Sequence, residues 1–147
     1  MQTARKPIGP TTRSLPIMML RARETLMGPV REMLQQSNIS EQQWRVLRVL
    51  DEQGELEQTA IAHSACLQLP SLTRILRNME QEGLVSRRTD PGDRRKSLVS
   101  ICKNGKALIA SHADRHAAIF SRIEKLYGRE KLDLLLDLLD DLRILKL

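Results

Sequence analysis

Apolar residues recur at helical spacing over most of this chain, and the points where that rhythm breaks divide it into elements. Leu15, Met18, Met19, Ala22, Leu26, Met27, Val30 and Leu34 share one broad face of a helix predicted over residues 14–36. A second helix begins at Ser40, where Ser40-x-x-Gln43 has the form of a capping box, and ends near Gly54. A short helix over 58–65 and another over 69–82 follow, the latter closed by Gly83 in the left-handed conformation that glycine adopts freely. Those two, joined by a tight turn, make a helix-turn-helix. The pattern then shortens to Leu84-Val85-Ser86-Arg87-Arg88, a turn at Asp90-Pro91-Gly92-Asp93, and Ser97-Leu98-Val99-Ser100-Ile101, which reads as a β-hairpin. Helices return over 104–127 and, after Gly128, over 129–147. The fold class is therefore mainly α with a small β wing.

Projected at helical spacing, Leu69, Leu72, Ile75, Leu76 and Met79 occupy an arc of about 120° that faces a core. The opposite ridge carries Pro70, Arg74, Arg77 and Gln81, flanked by Ser71, Thr73 and Asn78. Arginine pairs bidentately with guanine in the major groove, while Ser, Thr and Asn serve phosphates or other base edges. A solvated amphipathic helix would show such a face too, but here a short helix precedes it and a basic hairpin follows. Three cations, Arg94, Arg95 and Lys96, sit directly after the hairpin bend, where extended side chains can enter a minor groove. Asp93 would be repelled by phosphate, so its expected role is to orient Arg95 through a carboxylate-guanidinium pair.

Bulk composition sharpens this. With 147 residues and 41% hydrophobic content, the chain suffices for one core plus an oligomerisation extension. No apolar run approaches the roughly 20 residues of a membrane span, and residues 1–13, with Arg5, Lys6 and Arg13, read as a flexible basic arm. A net charge of +6 favours a polyanionic partner, and the cations concentrate mid-chain while acids crowd residues 133–141. The two cysteines, Cys66 and Cys102, are expected to be small buried hydrophobes of a reduced, cytoplasmic protein. The histidines lack metal-ligand spacing, and no nucleophile, acid-base pair or phosphate loop is present, so neither an enzyme nor a cofactor is expected.

At the hairpin the chain resembles the MarR family. Asp90-Pro91-Gly92-Asp93-Arg94-Arg95, then Val99-Ser100-Ile101 and Asn104-Gly105, is similar to that family's wing, and Met79-Glu80-Gln81-Glu82-Gly83-Leu84-Val85 to the end of its recognition helix. Cys102-Lys103 departs from the Leu-Thr common there, which puts the cap of the following helix in doubt. Runs at Ala22-Arg23-Glu24, Glu41-Gln42-Gln43-Trp44-Arg45, Ala65-Cys66 and Pro70-Ser71-Leu72-Thr73 resemble regulators of homoprotocatechuate degradation within the family. The resemblance implies a winged helix-turn-helix repressor of aromatic catabolism, released from DNA by a small aromatic carboxylate. Residues 37–103 would then bind DNA, with 14–36 and 104–147 as dimerisation helices.

The last helix supports the dimer independently. Its leucines, from Leu132 to Leu145, span about 200° of the projection, too wide for one neighbour to cover. A second copy is the simplest cover, and a two-fold pair offers two reading helices to a pseudo-palindromic duplex site. In the first helix Arg23 projects into the apolar face, where a guanidinium requires an anion: a structural Asp or Glu, or a ligand carboxylate. The family resemblance places an effector between the dimerisation helices and the reading domain, which brings in Trp44, Arg45 and Arg48, Trp44 as a ring-packing surface or as core filler. Rival readings are a response to another phenolic ligand or to cysteine oxidation, and an architectural DNA binder without an effector.

Overall fold

A computed structural model of the chain describes residues 7–147. After a single 3-10 turn at Thr11–Arg13 come α1 (Leu15–Gln35), α2 (Glu41–Gln53), β1 (Leu56–Glu57), α3 (Gln58–Ser64) and α4 (Leu69–Gln81). Then follow β2 (Val85–Thr89), β3 (Ser97–Ile101), α5 (Lys103–Tyr127) and α6 (Arg129–Arg143). Much of the expected basic arm, residues 1–6, lies outside the described residues.

Local chemistry explains the boundaries. The Ser40 hydroxyl accepts from the Gln43 amide while the Gln43 side chain accepts from the Ser40 amide, so the capping box forms and α2 starts where the sequence expects. Gly83, at φ +72°, lets the chain leave α4 in a left-handed turn. Cys102 precedes α5 without a side-chain hydrogen bond, which bears out the doubt over that cap. Pro29 removes one hydrogen bond from α1 without ending it.

Two features depart from expectation. Leu56 and Glu57 pair antiparallel with Val99 and Leu98, adding a third strand on the far side of the hairpin in the order β1-β3-β2. A two-residue strand carries no alternation to read. The last helix stops at Arg143 instead of running to residue 147, where the Leu145 amide turns back to the Leu142 carbonyl at 3.3 Å in place of a helical bond.

One core unites the end of α1 (Val30, Met33, Leu34), α2 (Trp44, Val46, Leu47, Leu50), Ile61, the inner face of α4 (Leu72, Leu76, Met79) and the strands (Val85, Val99). It holds the helix-turn-helix against the sheet. At the start of α5, Gly105 is buried, and a Cβ there would lie 2.5 Å from the Leu84 carbonyl oxygen. By contrast α6 buries nothing: Leu134, Leu135, Leu136, Leu138 and Leu139 are all exposed in the single chain, as is Leu145 just beyond it. Leu15, Met18, Met19 and Leu26 are exposed as well, so the apolar face expected on α1 divides into a core-facing end and an uncovered beginning.

Candidate nucleic-acid interface and effector site

The apolar arc of α4 turns inward, with Leu72, Leu76 and Met79 fully buried and Ile75 partly so. Leu69, expected in that arc, is exposed, because it opens the helix ahead of the first core contact. With that face fixed, Arg74, Arg77 and Asn78 stand in solvent and Ser71 is half-buried on the flank. Among the described residues neither Arg74 nor Arg77 has an ion-pair partner. Thr73 behaves differently from its neighbours. Its hydroxyl donates to the Leu69 carbonyl (3.0 Å) and accepts from the Gln58 amide (2.6 Å), tying α4 to α3 and leaving little capacity for a base or phosphate.

The hairpin is clamped to the body by ion pairs. Arg87 Nε lies 3.0 Å from Glu80 of α4, and Arg88 makes a two-pronged contact with Glu55 at 2.7 and 3.1 Å. Glu55 also accepts from the Ser100 hydroxyl at 2.7 Å. The Arg88 and Ser100 hydrogen bonds hold its carboxyl down at about 2, against the ordinary 4.5. At the tip, Asp93 receives the Arg95 guanidinium through two bonds of 3.1 Å and its amide through another of 3.0 Å. This is the expected orienting pair, and the Arg95 hydrogen bonds lower the Asp93 pKa. Arg95 nevertheless keeps 91% of its side chain in solvent. Arg94 and Lys96 are exposed beside it, Lys96 at 3.8 Å from Glu57. Ridge and wing tip thus carry cations not neutralised by burial.

On the other side of α2 the expected effector residues separate. Arg23 is half-buried and pairs with Glu41, which also accepts from Arg31 Nε at 3.1 Å. The anion that Arg23 requires is supplied within this chain by the first residue of α2. Trp44 is buried, its ring edge-on to His112 with centroids 5.8 Å apart and tilted against His116 at 5.8 Å. His116 stacks at 4.7 Å on Phe120, which is 40% exposed, so the rings form a ladder from core to surface. Burial first and the Arg48 charge second lower the His116 pKa, favouring the neutral imidazole. His112 is anchored by a 2.7 Å hydrogen bond with the Ser37 hydroxyl.

Arg45 does not join this group. Its Nη1 donates to the Cys66 carbonyl at 3.4 Å and it lines a cleft against α4. Sequence reasoning missed His112, His116 and Phe120, although their i, i+4, i+8 spacing marks one stripe of α5. The expectation that both cysteines are buried fails: Cys66 is exposed in the turn between α3 and α4, and Cys102 is half-buried. Among the described residues no group of His, Cys, Asp or Glu is placed to hold a metal ion, and no helix is long and apolar enough to cross a membrane.

Comparison with known proteins agrees with this architecture. Residues 39–97 match the MarR family. The chain is 40% identical over 129 residues to the HTH-type transcriptional regulator FarR of Neisseria gonorrhoeae, covering 88% of each. It is 38% identical over 128 residues to the homoprotocatechuate degradative operon repressor of Escherichia coli, covering 87% of this chain and 86% of that one. The crystal structure of NadR in complex with 4-hydroxyphenylacetate superposes with a TM-score of 0.82 at 37% identity, covering 96% of this chain and all of the other. The chain belongs to the MarR family. It is a winged helix-turn-helix DNA-binding transcription regulator, of a family whose members are not enzymes.

Proposed function

We propose that this regulator is a cytoplasmic homodimeric repressor of an aromatic-acid degradation operon, released from its operator by a small aromatic carboxylate. The observation that carries the reading is the outward ridge of α4, where Arg74 and Arg77 stand exposed, without an ion-pair partner among the described residues, beside a wing clamped to the same body. Arg74 and Arg77 read bases, Ser71 and Asn78 meet the groove wall, and the tip cations Arg94, Arg95 and Lys96, with Asp93 as the positioning carboxylate, contact the adjacent minor groove and phosphates. The exposed leucines of α6 and the uncovered start of α1 form the two-fold contact that spaces the two ridges.

The effector binds at the ring ladder. Trp44, His116 and Phe120 offer the aromatic surface, with Arg48 close enough to influence His116 and Arg23 one helix away. Support for an aromatic acid comes from the homoprotocatechuate repressor and from NadR, whose structure contains 4-hydroxyphenylacetate. A ligand carboxylate competes with Glu41 for Arg23, and that exchange loosens the link between α1 and α2. A tenfold loss of operator affinity requires a coupling of about 1.4 kcal/mol between the two sites.

The test is a titration of operator against random duplex, with and without 4-hydroxyphenylacetate, alongside thermal denaturation. The expected result is a preference of at least ~10³ for operator, a drop in that affinity with the acid, and a higher melting temperature in its presence. Equal affinity for both duplexes would leave only an architectural binder. Specific binding unmoved by aromatic acids would remove the effector assignment.

A further inference from the structure

Between α2 and α4 lies an open cleft of about 580 Å³ whose charge has one sign. Arg45 of α2 and Arg74 of α4 face it together with Gln42, Ser71 and Asn78, and no carboxylate is among its lining residues. The one acid in the first turn of α2, Glu41, is turned away towards Arg23 and Arg31. Arg45 is held but not satisfied: Nη1 reaches the Cys66 carbonyl, while Nε is buried with no partner among the described residues. A buried guanidinium N–H without an acceptor is costly, so the side chain stands ready for one. The Cys66 carbonyl that steadies it belongs to a left-handed residue, at φ +53°, in the turn leading into α4.

We infer that this cleft binds a phosphate of the operator backbone through Arg45, making Arg45 a DNA contact in place of the effector contact expected from sequence. The inference rests on α4 entering the major groove as proposed above. A helix about 10–12 Å across fills a groove about 12 Å wide, so its flanks meet the sugar-phosphate walls and only its outer ridge meets bases. Ser71 and Asn78, at i and i+7, form one such flank, about 10 Å long at 1.5 Å per residue, with Arg74 above them at the edge of the base-reading ridge. Arg45 faces that flank from the neighbouring helix, on the side where the wall must pass. Every charged or amide group in the cleft can donate to an anion, and Arg45 can do so without first leaving a carboxylate.

The experiment measures operator and random-duplex affinity of the full-length Arg45→Gln, Arg45→Lys and Arg74→Ala proteins between 50 and 300 mM salt, with folding checked by melting temperature. For Arg45→Gln the slope of log K against log salt should fall by about 0.9 per subunit, with both duplexes weakened by the same factor. Arg45→Lys should keep the wild-type slope, and both variants should retain the thermal upshift produced by 4-hydroxyphenylacetate. An unchanged slope in Arg45→Gln, with Arg74→Ala still altering base preference, overturns the phosphate assignment and leaves the reading of α4 intact. Loss of the 4-hydroxyphenylacetate upshift in Arg45→Gln overturns it in favour of a small-carboxylate site. If Arg74→Ala leaves base preference unchanged as well, the underlying proposal for α4 has failed.

Discussion

Replacing Gly105 with alanine should loosen the joint between the wing and the start of α5. An added Cβ would meet the Leu84 carbonyl oxygen at 2.5 Å, Ile101 Cγ1 at 2.7 Å and Leu47 Cδ2 at 3.1 Å. The first of these is backbone, and that carbonyl already accepts from the Cys102 amide at 2.9 Å, so it cannot swing aside without breaking the bond. Alanine suits a helix better than glycine by about 1 kcal/mol, a gain that opposes the clash. Overpacking of a close-packed site costs about 1–3 kcal/mol, and the backbone contact argues for the upper part of that range. At roughly 2–4 °C per kcal/mol for a chain of this size, a net loss of about 1–2 kcal/mol lowers the melting temperature by roughly 2–8 °C. Differential scanning calorimetry of the two proteins reads this directly, and operator titration reads the accompanying shift of the wing. A Gly105→Ala protein that melts at or above the wild-type temperature would refute the reasoning, showing that the start of α5 can back away from β3 at no cost.

Three further outcomes follow from named contacts. The Glu55 carboxyl, held at about 2 by Arg88 and Ser100, sits below its ordinary 4.5, so its contribution is complete above pH 4.5 and lost as pH falls towards 2; Glu55→Gln should flatten the fall in melting temperature across that window, and an identical acid profile would contradict the assignment. Glu41→Gln releases Arg23 from a partly exposed pair worth at most about 1 kcal/mol, so calorimetry should find 4-hydroxyphenylacetate bound up to about fivefold more tightly; weaker binding would mean that Glu41 helps the ligand instead of competing with it. Aspartate at Leu135 and Leu138 together should give monomers in sedimentation velocity and a large loss of operator affinity, each leucine buried by a partner being worth about 1.5–3 kcal/mol; an unshifted sedimentation coefficient would place the two-fold contact elsewhere.

The parts of the structure legible in the sequence are those set by local chemistry. Ser40 and Gln43 cap each other within one turn, Gly83 needs only its own backbone freedom, and Asp93 reaches Arg95 across two residues. The amphipathic period of α4 sufficed to say which way Arg74 and Arg77 point. Pairings between distant segments were not legible. The anion beside Arg23 was required by physics, but its identity as Glu41 depends on how α1 crosses α2. Trp44 and Arg45 both lie on the helix that the family resemblance brings to the effector, yet successive helical positions differ by about 100°, and that turn sends Arg45 to the α4 cleft and Trp44 to α5. The ring ladder was partly readable, since His112, His116 and Phe120 share one stripe. What that stripe faces comes only from the fold. Thr73 lies beside the exposed ridge by helical period alone, but Gln58, 15 residues earlier, holds its hydroxyl.

The most direct test of the central claim is selection of binding sites from a random duplex pool with the wild-type, Arg74→Ala and Arg77→Ala proteins. The wild type should enrich paired, inverted half-sites about one helical turn apart, and each substitution should erase the preference at one position of both halves, at about 1–3 kcal/mol per contact. Recovery of the same sites by all three proteins, or of single half-sites by the wild type, would contradict two outward arginine ridges aimed by a dimer at one duplex.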